Sequence, residues 1–361
     1  MIIVYLLLAC ILILVGILLL WSPGKPTPFV DENGNALAGS ISEKIHVPIN
    51  GMEQGMFIKS KDETNPVLLF LHGGPGLPEY FLTQTYPTGL EEYFTVCWWE
   101  QRGSGLSYTA GIPPETMTVE QFISDTLEVT KTLRNRFGKE KIYLLGHSGG
   151  SLFGIQAAAR APELYHAYIG MAQISYQLKS EKLAYDYMLP QFKEDGNTRM
   201  VRRLEAAPVT MTVPLPHAYN AMRDEAMHSL GIGTTHDMRS VVSGLFIPSW
   251  QFREYTLSEK VALWRGKLFS RRIMWNQVLA MDLTSQLTEL DLPVYFFHGI
   301  YDYTVSYTEA KSYFEKIKAP IKGFYTFERS AHSPIFEEPE KMVKILREDV
   351  LPGTNNLADA K

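Results

Sequence analysis

Residues 141–150, K-I-Y-L-L-G-H-S-G-G, decide the fold of this 361-residue chain. The first five favour a strand, the next five fit the pattern G-x-S-x-G, and a helical pattern continues to Arg160. Glycines are needed beside the serine because a sharp strand-to-helix turn brings neighbouring backbone close to it. The sequence therefore predicts a strained turn that exposes the hydroxyl of Ser148 as a nucleophile at a strand end.

Apolar runs on both sides of this turn predict the rest of the sheet. Uninterrupted apolar runs are typical of strands that are buried on both faces of a parallel sheet. They alternate with helical patterns such as residues 119–137, which favours an open, mostly parallel sheet with helices on both faces. Asn50-Gly51 is a type I′ hairpin signal between the first two strands. The predicted strands are 41–49, 52–60, 66–71, 94–99, 141–145, 166–171, 293–297 and 321–327.

Residues 173–285 interrupt the strand-helix alternation, because they contain few strand-like runs and many helical ones. We expect an inserted helical cap here, a core formed by 41–172 and 286–351, and a tail at 352–361. Such a cap would close over the carboxyl edge of the sheet and exclude long folded chains from the pocket. The aromatic cap residues expected to line that pocket are Tyr185, Tyr187, Trp250, Phe252, Tyr255 and Trp264.

A nucleophilic serine needs a base, and the base needs an orienting carboxylate. Asp302 follows the predicted strand 293–297, and His332 follows the last strand, 321–327. The order serine, acid, histidine is the one that G-x-S-x-G enzymes use. Because the carboxyl ends of parallel strands share one edge of a sheet, we expect Ser148, Asp302 and His332 to meet there.

Other histidines compete for the role of the base. His298 precedes Asp302 too closely to be oriented by it in the usual order, so we expect it to pack in the core. His147 adjoins the nucleophile, and its side chain is expected to point away from Ser148. The remaining competitors are expected to be solvated or packed within the cap: His217, His228 and His236.

A third strand end predicts the groups that stabilise an oxyanion. Residues 72–76 (H-G-G-P-G) follow strand 66–71 directly. The backbone N–H groups of Gly74 and Gly149 could converge on one oxygen from two neighbouring strand ends. Preorganised donors of this kind contribute about 3–4 kcal/mol each at the transition state.

The first 21 residues form a separate segment. Residues 2–21 carry no charge and would span roughly 30 Å as a helix, about the thickness of the hydrocarbon core of a bilayer. We predict a single N-terminal transmembrane helix that anchors the chain to a membrane, with a tether at 22–40. A cleaved signal is one alternative, although the basic start, short apolar stretch and cleavage site typical of one are not evident. A buried helix of a soluble protein is the other. Lys25, the one basic residue near either end, does not set an orientation.

Composition excludes several classes of function. Hydrophobic residues make up 45% and charged residues 20%, which is typical of a globular protein, and the net charge of −5 argues against nucleic-acid binding. Cys10 and Cys97 are too few for a disulfide framework or a cysteine-rich zinc site. No metal or cofactor motif is present, so neither is expected. Residues 100–103 (E-Q-R-G) resemble a phosphate loop, but we expect a structural turn in which Arg102 forms a salt bridge.

Three motifs in order, residues 72–76, 100–107 (E-Q-R-G-S-G-L-S) and 146–150, resemble the prolyl iminopeptidase branch of the α/β-hydrolase family. The resemblance covers roughly residues 45–350. It implies the α/β-hydrolase fold, with Ser148 as nucleophile, Asp302 as the orienting acid and His332 as general base and then acid.

The chain also departs from that family. Family peptidases commonly carry G-G-S-W-G at the turn and Asp before Q-R-G, whereas this chain has G-H-S-G-G and Glu100. They use cap carboxylates to hold the free amino terminus of the substrate, and the sequence does not assign this role among its own cap acids. Those acids are Glu181, Asp186, Glu194, Glu205, Asp224 and Glu254.

The resulting hypothesis is a serine hydrolase that forms an acyl-enzyme on a small substrate, releasing an N-terminal proline or similar residue from short peptides. An esterase or amidase acting on a non-peptide small molecule is the alternative. A ligand-binding homologue without catalysis is the third hypothesis, and the complete set of predicted catalytic groups argues against it.

Overall fold

One twisted sheet organises the chain. The structure is a computed structural model that describes residues 1–360, except for the side chain of Ile3. Within those residues eight strands form the sheet in the order β1-β2-β4-β3-β5-β6-β7-β8, and the pairs from β4 onward are parallel. The strands are β1 (Ile41–Ile49), β2 (Met52–Ser60), β3 (Val67–Leu71), β4 (Thr95–Trp99), β5 (Ile142–His147), β6 (Tyr165–Met171), β7 (Val294–Gly299) and β8 (Lys322–Phe327).

The antiparallel edge of the sheet is formed by the predicted hairpin. Ile49 pairs with Met52, and the two residues between them have positive φ, 45° at Asn50 and 76° at Gly51. A type I′ turn requires positive φ at both central positions, which asparagine and glycine tolerate best. The hairpin prediction is therefore confirmed.

Helices cover both faces of the sheet, as predicted. Leu69 and Leu71 of β3 face one buried cluster, whereas Leu68 and Phe70 face the other. Burying each such side chain contributes about 1.5–3 kcal/mol, so the continuous apolar strands require a cover on each side. The α-helices are α1 (Ile2–Leu20), α2 (Val119–Phe137), α3 (Gly149–Arg160), α4 (Gln177–Glu194), α5 (Thr198–Glu205), α6 (His217–Ser229), α7 (Ile247–Gln251), α8 (Leu257–Ala280), α9 (Leu283–Gln286), α10 (Tyr307–Lys316), α11 (Pro334–Glu337) and α12 (Pro339–Ile345).

The cap is formed by α4 to α9, between β6 and β7. It has a core of its own, to which Met188, Leu204 and Tyr219 belong. Its longest helix, α8, begins with a capping box in which Thr256 and Glu259 satisfy each other's backbone N–H groups. Because Met274 and Val278 of α8 reach the core beneath the sheet, this helix joins the cap to the body of the protein.

The segment after α1, from Trp21 to Thr27, packs against the cap. Lys260 is buried, and its Nζ donates to the carbonyl oxygen of Trp21 at 2.7 Å. Gly24 N donates to Arg253 O at 3.1 Å, and Thr27 N donates to a carboxylate oxygen of Glu254 at 2.8 Å. The first residues of the predicted tether therefore have defined positions.

The structure does not support the predicted transmembrane helix. Residues 2–20 do form the helix α1, and its apolar side chains are exposed. Of the residues that the structure describes, no helix meets the combined length and apolarity of a membrane span.

Candidate active site

The predicted nucleophile lies on a strained turn between β5 and α3. Ser148 has φ 52° and ψ −120°, a conformation that an L-residue rarely adopts. A Cβ on Gly146 would lie 2.6 Å from Ser151 Cα, and one on Gly150 would lie 2.3 Å from Leu71 O. Any side chain at either position would clash with backbone, which explains why glycines flank the serine.

The predicted acid and base meet at the carboxyl edge of the sheet. Asp302 lies in the loop after β7, and His332 lies in the loop after β8. His332 Nδ1 is 2.9 Å from Asp302 Oδ2, while Asp302 Oδ1 accepts a hydrogen bond from Val305 N at 2.9 Å. An Nδ1–H that donates to a carboxylate leaves Nε2 with a lone pair, which is the tautomer that a general base requires.

The electrostatics of this pair suit a base that is neutral at neutral pH. Burial holds the pKa of His332 below its ordinary value, although Asp302 opposes this effect. Burial would raise the pKa of Asp302, but the charge of His332 and hydrogen bonds from His332 and His298 lower it instead. The pair therefore consists of an ionised carboxylate and an imidazole that can accept a proton.

His298 has a larger role than the packing expected of it. It is fully buried, and its Nε2 lies 3.2 Å from Asp302 Oδ2 and 2.9 Å from Val305 O. Its ring also packs against Phe324 and Tyr307, as a core histidine would. His298 therefore contacts the carboxylate of Asp302 and also the backbone of the loop in which Asp302 lies, which stabilises the position of both.

The predicted oxyanion residues face each other across the turn. A Cβ on Gly149 would lie 3.5 Å from Gly74 N, so the two backbones are in close contact. His72 fixes the glycine turn: its Nδ1 lies 2.8 Å from Gly73 O, and its Nε2 accepts a hydrogen bond from Gln101 N at 3.0 Å. Burial lowers the pKa of His72 to about 4, which keeps it neutral, as this pair of contacts requires.

Residues 100–107 brace that turn and are not a phosphate loop. Arg102 forms a bidentate salt bridge with Asp125, with Nε 2.7 Å and Nη2 3.1 Å from the two carboxylate oxygens. Burial raises the pKa of Glu100 to about 8, and Glu100 accepts hydrogen bonds from Tyr255 Oη and Leu106 N. The predicted structural turn and salt bridge are thus present.

Ser148 and His332 line the same cavity, which has a volume of about 130 Å³. Among the described residues no hydrogen bond joins their side chains, and such bonds are often long before substrate binds. The cavity lies between the strand-end loops and the cap. Its lining consists of Gly74, Pro75, Leu77, Glu79, Phe81, Leu82, His147, Ser148, Ile174, Gln177, Arg223, Asp224, Met227, His228, Thr234, Val241, Leu245, Lys267, Arg271, Trp275, Thr304, His332 and Ser333.

The expected aromatic lining is wrong. Within the described residues, none of the six aromatic cap residues named above reaches the cavity, whose large aromatic residues are Phe81 and Trp275. Tyr185 belongs to the cap's own core, and Phe252 and Tyr255 belong to the core on one face of the sheet. These side chains stabilise the cap and attach it to the sheet. Of the cap histidines, His228 lines the cavity, whereas His217 and His236 do not.

Sequence reasoning missed an ion pair beside the nucleophile. His147 Nδ1 lies 2.6 Å from Glu79 Oε2, and its Nε2 lies 2.8 Å from the carbonyl oxygen of His332. Both ring nitrogens face acceptors, an arrangement that favours the doubly protonated imidazolium. Burial opposes that charge, but Glu79 prevails and raises the pKa of His147. The expectation that His147 points away is therefore wrong, and no local signal in the sequence marks Glu79.

Of the six cap carboxylates that could receive an amino terminus, Asp224 lines the cavity. Its oxygens are already engaged, at 2.8 Å by Arg223 and 3.3 Å by Arg271. Glu181 is fully buried against Arg223, and Glu254 pairs with Lys59 elsewhere. Glu79, by contrast, lies close to the nucleophile: Glu79 Oε1 and Ser148 Oγ lie 2.8 and 3.4 Å from the point where a Cβ on Gly73 would be.

Comparison with known proteins identifies the family to which this fold belongs. Residues 66–339 match the family model for the alpha/beta hydrolase fold. The chain belongs to the α/β-hydrolase family. It is 32% identical over 309 residues to a probable aminopeptidase, YbaC, of Bacillus subtilis, a match that covers 85% of this chain and 96% of the relative.

Further relatives place this hydrolase in the prolyl iminopeptidase-like branch of the family. A proline iminopeptidase of Clostridium botulinum is 25% identical over 292 residues, covering 77% of this chain and 87% of the relative. Among solved structures, a proline iminopeptidase-related protein of Thermus thermophilus has a TM-score of 0.58 at 23% identity, covering 86% of this chain and 98% of that one. The protein is therefore an enzyme of the prolyl aminopeptidase-like hydrolases.

Proposed function

We propose that this hydrolase removes an N-terminal proline or a similar small residue from short peptides, through an acyl-enzyme on Ser148. The observation that carries the proposal is the Asp302–His332 hydrogen bond, which lies at the same cavity as a serine in a strained strand-to-helix turn. The similarity to aminopeptidases over most of the chain supports it.

The reaction follows from this arrangement. His332 Nε2 takes the proton of Ser148 Oγ as that oxygen attacks the scissile carbonyl carbon. The backbone N–H groups of Gly74 and Gly149 receive the resulting oxyanion. His332 then protonates the leaving amine, the amine departs, and water releases the acyl group by the same two proton transfers in reverse.

The free amino group of the substrate would pair with Glu79. Glu79 Oε2 is paired with His147, whereas its Oε1 accepts a long hydrogen bond of 3.3 Å from Gly73 N. Oε1 therefore retains capacity to accept from an ammonium group close to the nucleophile. In this role Glu79, from the loop after β3, would replace the cap carboxylates that family peptidases use.

Proline arylamide and its N-acetylated form test the proposal, with p-nitrophenyl butyrate as an ester control. Acetylation removes the ammonium group, so kcat/KM should fall about a hundredfold or more. Equal rates for the two arylamides, or ester cleavage without arylamidase activity, would favour the esterase hypothesis.

Attachment to a membrane through α1 is a separate proposal. It is supported by the absence of charge in residues 2–21 and by the exposure of apolar side chains around α1, such as Leu12 and Leu20. Apolar surface of this extent favours a lipid environment over water. Cell fractionation should recover the full chain with membranes and a variant lacking residues 1–20 in the soluble fraction; a soluble full chain would contradict the proposal.

A further inference from the structure

A second charged group lies in the same cavity, on the cap side. We define the cationic cluster as Arg223 of α6, Lys267 and Arg271 of α8, and the two carboxylates that pair with the arginines, Glu181 and Asp224. Lys267, Arg271 and Asp224 all line the cavity that contains Ser148. Three cations against two carboxylates leave the cluster with one unbalanced positive charge.

Most of the cluster is internally paired. Arg223 donates to both oxygens of Glu181 at 2.8 Å through Nε, and its Nη1 lies 2.8 Å from Asp224. Arg271 donates to Asp224 at 3.3 Å and to Asn220 O at 3.3 Å. The two guanidinium groups also lie over the ring of Trp275, at 5.6 and 5.8 Å from its centroid.

Lys267 accounts for the unbalanced charge. Its Nζ lies 5.0 Å from the centroid of the Trp264 ring, and within the described part of the chain it has no hydrogen bond and no salt bridge. Burial lowers the pKa of Lys267, the charges of Arg271 and Arg223 lower it further, and the charge of Asp224 opposes this effect. Lys267 and Arg271 are four residues apart on one helix, where like charges repel. A half-buried ammonium group that lies next to another cation, and that has no hydrogen bond or salt bridge of its own, would be stabilised by a further anion.

We propose that Lys267 and Arg271 form a subsite for a carboxylate of the substrate, so that the preferred peptides are very short and end in a free carboxylate within the cavity. The inference rests on the proposed function: an N-terminal proline or similar residue contributes an ammonium group but no carboxylate to the acyl side. The carboxylate must then belong to the leaving portion. A cavity of about 130 Å³ also favours small peptides.

The two ends of the cavity would then bind groups of opposite charge on the substrate. Glu79 would receive the ammonium group beside Ser148, and the cationic cluster would receive the carboxylate beneath the cap. A dipeptide satisfies both, whereas a longer peptide carries its carboxylate beyond the cluster.

The test compares prolyl-alanine with prolyl-alaninamide, which differ in the charge at the leaving end. A charge-assisted hydrogen bond should make kcat/KM for the free acid about tenfold or more higher than for the amide. In Lys267→Met this ratio should fall toward one, while Lys267→Arg should restore most of it. Lys182→Met is the matched control, because Lys182 is an exposed cap lysine that pairs with Asp186, and it should keep the wild-type ratio.

Binding separates this inference from the proposed function. In calorimetry, Ser148→Ala protein should bind prolyl-alanine about tenfold or more tightly than the amide. Preferential binding of the acid without any hydrolysis by the wild type would keep the subsite and refute the aminopeptidase proposal. Equal binding and equal hydrolysis of acid and amide would overturn the subsite while leaving the aminopeptidase proposal intact. The subsite would also be overturned if neither dipeptide bound, or if Lys267→Met kept the wild-type ratio of kcat/KM for the acid to kcat/KM for the amide.

Discussion

The two sides of the cavity differ in how their charged groups are paired. On the sheet side, the strand-end loops carry Asp302 and His332, and the charged groups there are paired: the carboxylate of Asp302 lies close to two histidines, and His147 lies close to Glu79. On the cap side, the cationic cluster leaves Lys267 over the ring of Trp264, without a hydrogen bond or a salt bridge among the described residues. A site whose charges are paired without ligand suits chemistry, because those charges do not need to reorganise during the reaction. A site with unbalanced charge suits recognition.

This comparison predicts that substitutions on the sheet side act on the rate of the chemical step, whereas substitutions on the cap side act on the choice of substrate. The predictions below test that division, beginning with the largest expected effect.

Ser148→Ala should lower kcat on the order of 10⁶-fold, because it removes the nucleophile. Circular dichroism and thermal unfolding should match the wild type, since the smaller side chain leaves the turn in place. Steady-state rates with proline arylamide measure the loss, and normal turnover in the purified variant would refute the mechanism.

Asp302→Asn should lower kcat about 10⁴-fold, because the amide cannot hold His332 in the tautomer with a free Nε2. KM should change little, since Asp302 is buried beneath the histidine and does not line the cavity. A variant whose KM rises while kcat stays constant would place Asp302 in binding instead.

Glu79→Gln should lower kcat/KM for proline arylamide about 10- to 100-fold, because it weakens the partner of the substrate's ammonium group. The neutral ester p-nitrophenyl butyrate serves as the comparison within the same protein and should lose less. Equal losses for both substrates would mean that Glu79 acts only by positioning His147 and the loops around it.

The acidic limb of the pH profile should follow His332. Burial lowers the pKa of His332 from 6.5, so the imidazole is neutral and active at any pH above this lowered pKa. We therefore expect kcat/KM to fall as the pH falls through the lowered pKa. Below that pKa the expected slope is about tenfold per pH unit. A profile that loses activity as pH rises from about 6 to about 7 would contradict the assignment of His332 as the base.

Truncation tests whether the segment after α1 belongs to the folded body. Removing residues 1–24 deletes Trp21 O, an acceptor of the buried Lys260 Nζ, whereas removing residues 1–20 leaves it. The longer truncation should be less stable by about 1–3 kcal/mol in denaturant unfolding. Equal stabilities would show that residues 21–24 are a free tether, as their composition suggests.

The sequence predicts the sheet side well because its signals are local. A strand followed by G-x-S-x-G places Ser148, and the rule that parallel strands end at one edge brings Asp302 and His332 to it. The helix α10 was not predicted, and the strand bounds differ by one or two residues at eight of the sixteen ends. Helix ends and strand ends depend on capping and pairing that a single segment does not determine.

The cap side could not be predicted in the same way. Aromatic residues such as Tyr185 and Phe252 are buried elsewhere, because the cap must first fill its own core and bind the sheet. Glu79 and Lys267 carry no motif, and their placement depends on how a loop and α8 cross the cavity. The orientation of His147 was missed for the same reason, since its partner Glu79 comes from a different loop.

On the mechanism proposed above, Ser148 is a nucleophile activated on the sheet side of the cavity. A fluorophosphonate probe followed by peptide mass spectrometry tests it most directly, because such probes react covalently with activated serines and report no substrate preference. The account predicts a single adduct on the peptide that contains Ser148, and no adduct there in Ser148→Ala. An unlabelled wild type, or a label carried by another serine and retained in Ser148→Ala, would contradict it.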